Sequence, residues 1–214
     1  MTASRLLAAL TLSLLVTVLP LRPAGAGDAR TARDAVQAAV GEGLDTFVAK
    51  GHSLAERTRL LDGLLRRHSD PSMLSSYILG RHWGKLEAAE RTAFSDVFMR
   101  YLVSSYVGLL KNLKTGVAVQ VGDARPVDGR FRVASMVTLP SQPSIPIPVD
   151  WDVVDAPDGR PVIIDVTAEG VSIIRAMRED FASVLRNSGG RIEPLMEALG
   201  RKITTNDASN TQQQ

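Results

Sequence analysis

The sequence predicts an α+β domain in which helices pack on a roughly four-stranded antiparallel sheet, with two further helices at the C-terminus. Three observations predict it. Apolar residues recur every three to four positions from Val36 to Leu109, the period switches to two between Val117 and Ala168, and helical spacing returns after Gly170. A block of strands flanked by blocks of helix, with no internal repeat and no linker, is the pattern of one domain built on one sheet.

Residues 1–26 stand apart from that pattern. Arg5 precedes the apolar run LLAALTLSLLVTVLPL, and Ala24 and Ala26 have the spacing a signal peptidase reads, so these residues are expected to be a cleaved signal peptide. The run is short and contains Pro20, whereas a membrane-spanning helix needs about 20 clean apolar residues. The chain carries 25 Lys and Arg against 23 Asp and Glu; Arg5 and Arg22 account for the whole excess, so residues 27–214 are balanced. Acids and bases are interspersed, which argues against a nucleic-acid partner. With no cysteine there are no disulfides, thiolate metal sites or Cys nucleophiles, and an exported chain of this kind relies on its core.

Val36, Val40, Leu44, Phe47 and Val48 make one helical stripe. Ser53 and Glu56 have the form of a capping box ahead of Leu60, Leu61, Leu64 and Leu65. Asp70-Pro71 starts a third helix, carrying Met73, Leu74, Tyr77 and Ile78 and reaching Trp83. A long helix from about Glu87 to Lys111 presents Phe94, Phe98, Tyr101, Leu102, Ser105 and Leu109. Strands follow at Val117–Val121 and Phe131–Val137, joined by the hairpin signal Asp128-Gly129. The Pro-rich PSQPSIPIP reads as a bend into VDWDVV, and Asp158-Gly159 turns that strand into PVIIDVTA. Val171, Ile174, Met177, Phe181 and Leu185 mark another helix, IEPLMEALG a short last one closed by Gly200, and residues 203–214 a disordered polar tail.

Asp165 and Glu169 have two readings. As the corner where the last strand meets a helix, Glu169 complements exposed N–H groups and Gly170 permits the tight turn. As an acid/base pair in an exported enzyme they would need a pocket that drives their pKa values apart, and a histidine to work with. His52, His68 and His82 lack metal-site spacing, Ser135 and Ser172 lack a G-x-S-x-G setting, and no nucleotide-binding glycine motif occurs, so no metal or cofactor is expected.

The segment DVTAEGVSIIRAMREDFASVLRNSGGRIEPLMEAL, with its core D-V-x-x-E-G-V-S, resembles the C-terminal signature of the MlaC-type family of periplasmic phospholipid-binding proteins, also called toluene-tolerance auxiliary proteins of an ABC lipid transport system. SSYILGRHWGKLEAAERTAFSDVFMRYLVSSYVGLL is similar to the family's helical block. The chain departs from the family at Pro161, where members usually carry an aromatic residue, and at Ala176 and Met177.

The resemblance implies a curved, NTF2-like antiparallel sheet wrapped by helices, with a lipid-binding domain over residues 27–202. It implies a non-enzymatic, monomeric carrier in the periplasm, passing phospholipid between an inner-membrane ABC complex and an outer-membrane lipoprotein complex; a hopanoid or sterol is the alternative cargo. On that reading Trp83, Phe94, Phe98, Tyr101 and Leu102 on helices face Val133, Val137, Ile147, Val149 and Trp151 on strands, with Ile174, Met177 and Phe181 closing the pocket. Met177 suits an irregular ligand because its thioether adapts. Tight core packing by the same residues, or a structural subunit without cargo, are the competing readings.

Overall fold

The computed structural model describes residues 28–48, 51–110 and 115–212; the expected signal peptide lies outside them. Four helices come first: α1 (Ala29–Phe47), α2 (Leu54–His68), α3 (Pro71–Leu79) and α4 (Ala88–Leu110). The strands β1 (Ala118–Val127), β2 (Arg130–Leu139), β3 (Gln142–Asp155), β4 (Pro161–Ala168) and β5 (Val171–Ser172) form an open antiparallel meander in chain order. Two helices, α5 (Ile173–Asn187) and α6 (Glu193–Gln212), complete the α+β fold. No described helix is long and apolar enough to cross a membrane.

Local chemistry accounts for the helix boundaries. Ser53 Oγ accepts from Glu56 N while Glu56 Oε2 accepts from Ser53 N, the reciprocal bonds of a capping box. Asp70 Oδ1 accepts from Met73 N at 2.8 Å, with Pro71 at the first helical position where no N–H is needed. α3 stops earlier than its apolar spacing suggests: Gly80 adopts φ +53°, so the segment through Trp83 is a 3₁₀ helix over Gly80–Lys85.

Three expectations need correction. Only Pro140 and Ser141 of PSQPSIPIP form a turn; the rest is the first half of β3, which pairs with β2 through Ile147, Pro148 and Gln142. β4 pairs with β3 only from Val149 onward, so Pro146 lies where β3 has no ladder on its second side, and Pro148 there accepts one bond, from Glu169 N (3.1 Å). The sheet has a fifth strand, because Glu169 (φ +49°) and Gly170 (φ +82°) make a two-residue turn that folds Val171 and Ser172 back onto β4. And α6 runs through Gly200 to Gln212 across the expected disordered tail. α4 holds it there: Ile203 is buried, Asn206 Nδ2 donates to Ser105 Oγ (3.1 Å), and Asn210 Nδ2 donates to Ser104 O (2.9 Å).

The sheet divides the interior. Along β3, Trp151 and Val153 belong to a cluster with Ala32, Val36 and Val40 of α1, whereas Val154 belongs to a larger cluster with α3, α4, α5 and α6. Neighbouring residues on a strand point to opposite faces, so α1 covers one face and the other helices cover the other.

Candidate functional site

The strand residues expected to line a pocket share the α1 face. The register pairs Val133 with Trp151, Ser135 with Val149 and Val137 with Ile147, and directly opposed residues point the same way. Trp151 Nε1 donates to Ser135 Oγ (2.9 Å), which donates to Val149 O (2.8 Å), so this apolar surface holds its polar atoms in a closed relay. Val133 and Trp151 pack against α1. Val137 and Ile147 are half-buried and Val149 is buried, continuing the surface along the strands beyond that cluster.

The helix residues from the same expectation lie across the sheet. Phe94 and Phe98 are fully buried and stacked at 5.9 Å, and Phe181 meets both edge-on at 6.5 and 6.0 Å. Leu102 is buried with them; Trp83, Tyr101, Ile174 and Met177 pack around the cluster. Trp83 also lies under the Arg91 guanidinium at 5.5 Å. The two expected walls therefore do not face each other. Periodicity identifies an apolar face but not the element that covers it, and here α1 takes the place expected for α4.

On the α4 side, beyond the end of the aromatic cluster, the sheet becomes polar. A cleft of about 150 Å³ is bordered by Tyr77, Arg130, Arg132, Asp152, Asp165, Thr167, Ser172, Arg175 and Arg178, with Ile164 and Ile174 beneath. Asp152 is 4 % exposed and pairs with two guanidiniums. Arg132 donates to it from Nε (2.7 Å) and a terminal nitrogen (3.0 Å), which pushes Arg132 further above its ordinary range. Arg130 Nε lies 2.9 Å from Asp152 Oδ2 without donating a hydrogen bond. These charges were missed in the sequence; the signal was Arg-x-Arg and Asp-x-Asp at strand period, set opposite each other by the register Arg132 to Asp152.

Asp165 is the corner residue. Its carboxylate accepts from Val166 N (2.8 Å), Ser172 Oγ (2.5 Å) and Ile174 N (3.1 Å), tying β4 to the start of α5, where Ser172 Oγ in turn accepts from Arg175 N. A bulge between β3 and β4 places Ile164 opposite no residue, so Asp165 pairs with Asp152 and turns to the cleft side. Glu169 is exposed on the β4–β5 turn. None of the histidines bonds to either acid: His52 Nε2 contacts Thr46 O (3.0 Å) and His68 Nε2 contacts Glu42 (2.7 Å). His82 is held below its ordinary pKa by burial and by Arg81 and Lys85. Among the described residues no three acids or histidines gather as a metal site.

The geometry thus defines an α+β protein with one antiparallel sheet carrying apolar surface on both faces and a polar cleft on one of them. The model of the MlaC protein family matches residues 37–201, and the chain belongs to that family. The fold is similar to that of a phospholipid-binding protein from Ralstonia solanacearum solved in complex with a phospholipid, with a TM-score of 0.71 and 22% identity, over 82% of this chain and 98% of that one. No curated protein matches the sequence.

Proposed function

We propose that this chain is a periplasmic lipid carrier that holds phospholipid acyl chains against the α1 side of its sheet and passes the lipid between inner- and outer-membrane transport complexes. The observation that carries this reading is the family match over residues 37–201, and the phospholipid in the similar Ralstonia solanacearum structure supports it. Transfer physics supplies the need: at about 0.8 kcal/mol per CH₂, two long acyl chains disfavour water by roughly 20 kcal/mol or more. A carrier must cover that surface, and it makes or breaks no covalent bond in doing so.

Val137, Ile147 and Val149 are the wall we assign to the chains, because they continue an apolar face past Val133 and Trp151, which α1 packs. Phe94, Phe98, Leu102 and Phe181 are assigned to the core, since side chains this buried and mutually stacked leave no surface for a ligand. Trp83, Tyr101, Ile174 and Met177, packed around that cluster, border it in the same way.

Native mass spectrometry of the mature protein tests the reading. The expected result is a population heavier by one phospholipid, released by detergent. Protein that stays lipid-free after incubation with phospholipid vesicles overturns it.

A further inference from the structure

The cleft between the sheet and the start of α5 is not explained by the carrier reading. Four guanidiniums border it, from Arg130, Arg132, Arg175 and Arg178, against the carboxylates of Asp152 and Asp165. Both carboxylates are already committed, Asp152 to Arg130 and Arg132 and Asp165 to three donors of the β4–α5 corner. Arg175 and Arg178 form no ion pair with any acid among the described residues. They are exposed at the cleft rim, and the hydroxyl-bearing side chains of Thr167 and Tyr77 border it with them.

Arg178 is also placed rather than loose. Its guanidinium packs on Gly80, where an added Cβ would sit 2.5 Å from a terminal nitrogen, so the bare backbone of Gly80 makes room for it. Uncommitted guanidiniums, with their planar array of donors, are suited to tetrahedral or planar oxyanions. At about 150 Å³ the cleft admits a phosphate group but lies below the roughly 300–1,000 Å³ of a pocket for a whole drug-sized ligand.

We propose that this cleft is a phosphate-binding site and that the phosphate it takes is the phosphodiester head group of a phospholipid outside the protein. Arg132 and Asp152 lie on the opposite face of the sheet from Val137, Val149 and Trp151, because they alternate with them along β2 and β3. A head group bound here therefore belongs to a second lipid, such as one in a bilayer, and not to a lipid whose chains lie on the α1 side.

The test uses the mature protein with chainless glycerophosphoglycerol, a phosphodiester without acyl chains, followed by NMR of the arginine Nε–H groups and the backbone amides of residues 172–178. Shifts confined to these groups, with Kd at least tenfold weaker in Arg175→Ala/Arg178→Ala and partly restored by Arg175→Lys/Arg178→Lys, are the expected result. Phosphatidylglycerol vesicles should capture the wild type more than the alanine variant, and the difference should fade as salt screens the charges. Binding of inorganic phosphate alone, with no response to the diester, makes the cleft a free-phosphate site and overturns the head-group assignment. No shift with either probe overturns the site itself. Because the probe has no chains, either failure leaves the carrier reading untouched, and a lipid-free protein in native mass spectra leaves this site standing.

Discussion

The two faces of the sheet are built from the same strands and do different work. On the α1 side β2 and β3 present Val133, Val137, Ile147, Val149 and Trp151, and the one polar pair among them, Ser135 with Trp151 Nε1, is closed by the carbonyl of Val149. On the other side the same strands present Arg130, Arg132 and Asp152 and then Val154, so the face changes from charge to hydrocarbon within one strand repeat. A bulge at Ile164 lets β4 follow that change, keeping Ile164 and Asp165 on one side. The difference teaches that alternation gives a sheet two independent surfaces, one free to accept hydrocarbon and one that fixes charges at defined positions.

The largest effects are expected on the charged and aromatic side. Asp152→Ala should destabilise by about 3–5 kcal/mol in denaturant unfolding, because two guanidiniums lose their buried partner. Phe98→Ala should cost a similar 3–5 kcal/mol or so, through the cavity left between Phe94 and Phe181. If lipid content fell while the melting temperature held, the aromatic cluster would be a ligand wall after all.

Gly80→Ala is expected to cost roughly 1–3 kcal/mol, from the strained backbone and the displaced Arg178. It should also weaken glycerophosphoglycerol binding, which a purely structural glycine would not do.

Val137→Trp and Val149→Trp should change thermal stability least among the apolar positions and expel lipid, as a cavity wall would. A packed core would instead lose about 1–3 kcal/mol from overpacking with lipid retained, and that outcome would remove the wall from this face.

The smallest effect is expected where α1 meets the end of α2. Glu42 accepts from Arg67 and His68, and these bonds hold its carboxyl below its ordinary 4.5. A lowered carboxylate adds stability above its unfolded value and loses it as pH falls through the native one, so the contribution should begin to decline below about 4.5 and be gone once the pH lies under the native value. Glu42→Gln should flatten that acid limb in pH-dependent melting and leave lipid content unchanged.

How much of this was legible in the sequence can be followed through particular residues. Ser53 with Glu56, Asp70-Pro71 and Asp128-Gly129 announced their caps and turn because each is a contact between residues at most three apart. The corner was readable at Glu169-Gly170, but the helix-start contacts expected of Glu169 are made by Asp165, whose bonds to Ser172 Oγ and Ile174 N span seven and nine residues and could not be counted in advance. The amphipathic periods picked out Phe94, Phe98, Val133 and Phe181, which are buried, but also Leu109 and Val171, which are exposed, Val171 because it lies on β5 and not on α5.

By itself the sequence determined the α+β order of elements, the local caps and the family likeness, since these rest on spacing, backbone preference and short motifs. Tertiary structure alone decided which helix covers which face, that α6 continues to Gln212 along α4, that prolines 146 and 148 stand in a strand, and that Arg130, Arg132, Arg175 and Arg178 border one cleft. The reason is physical: a period tells a side chain to leave water but not against what, and a charge in a strand finds its partner only once the register brings a distant strand beside it.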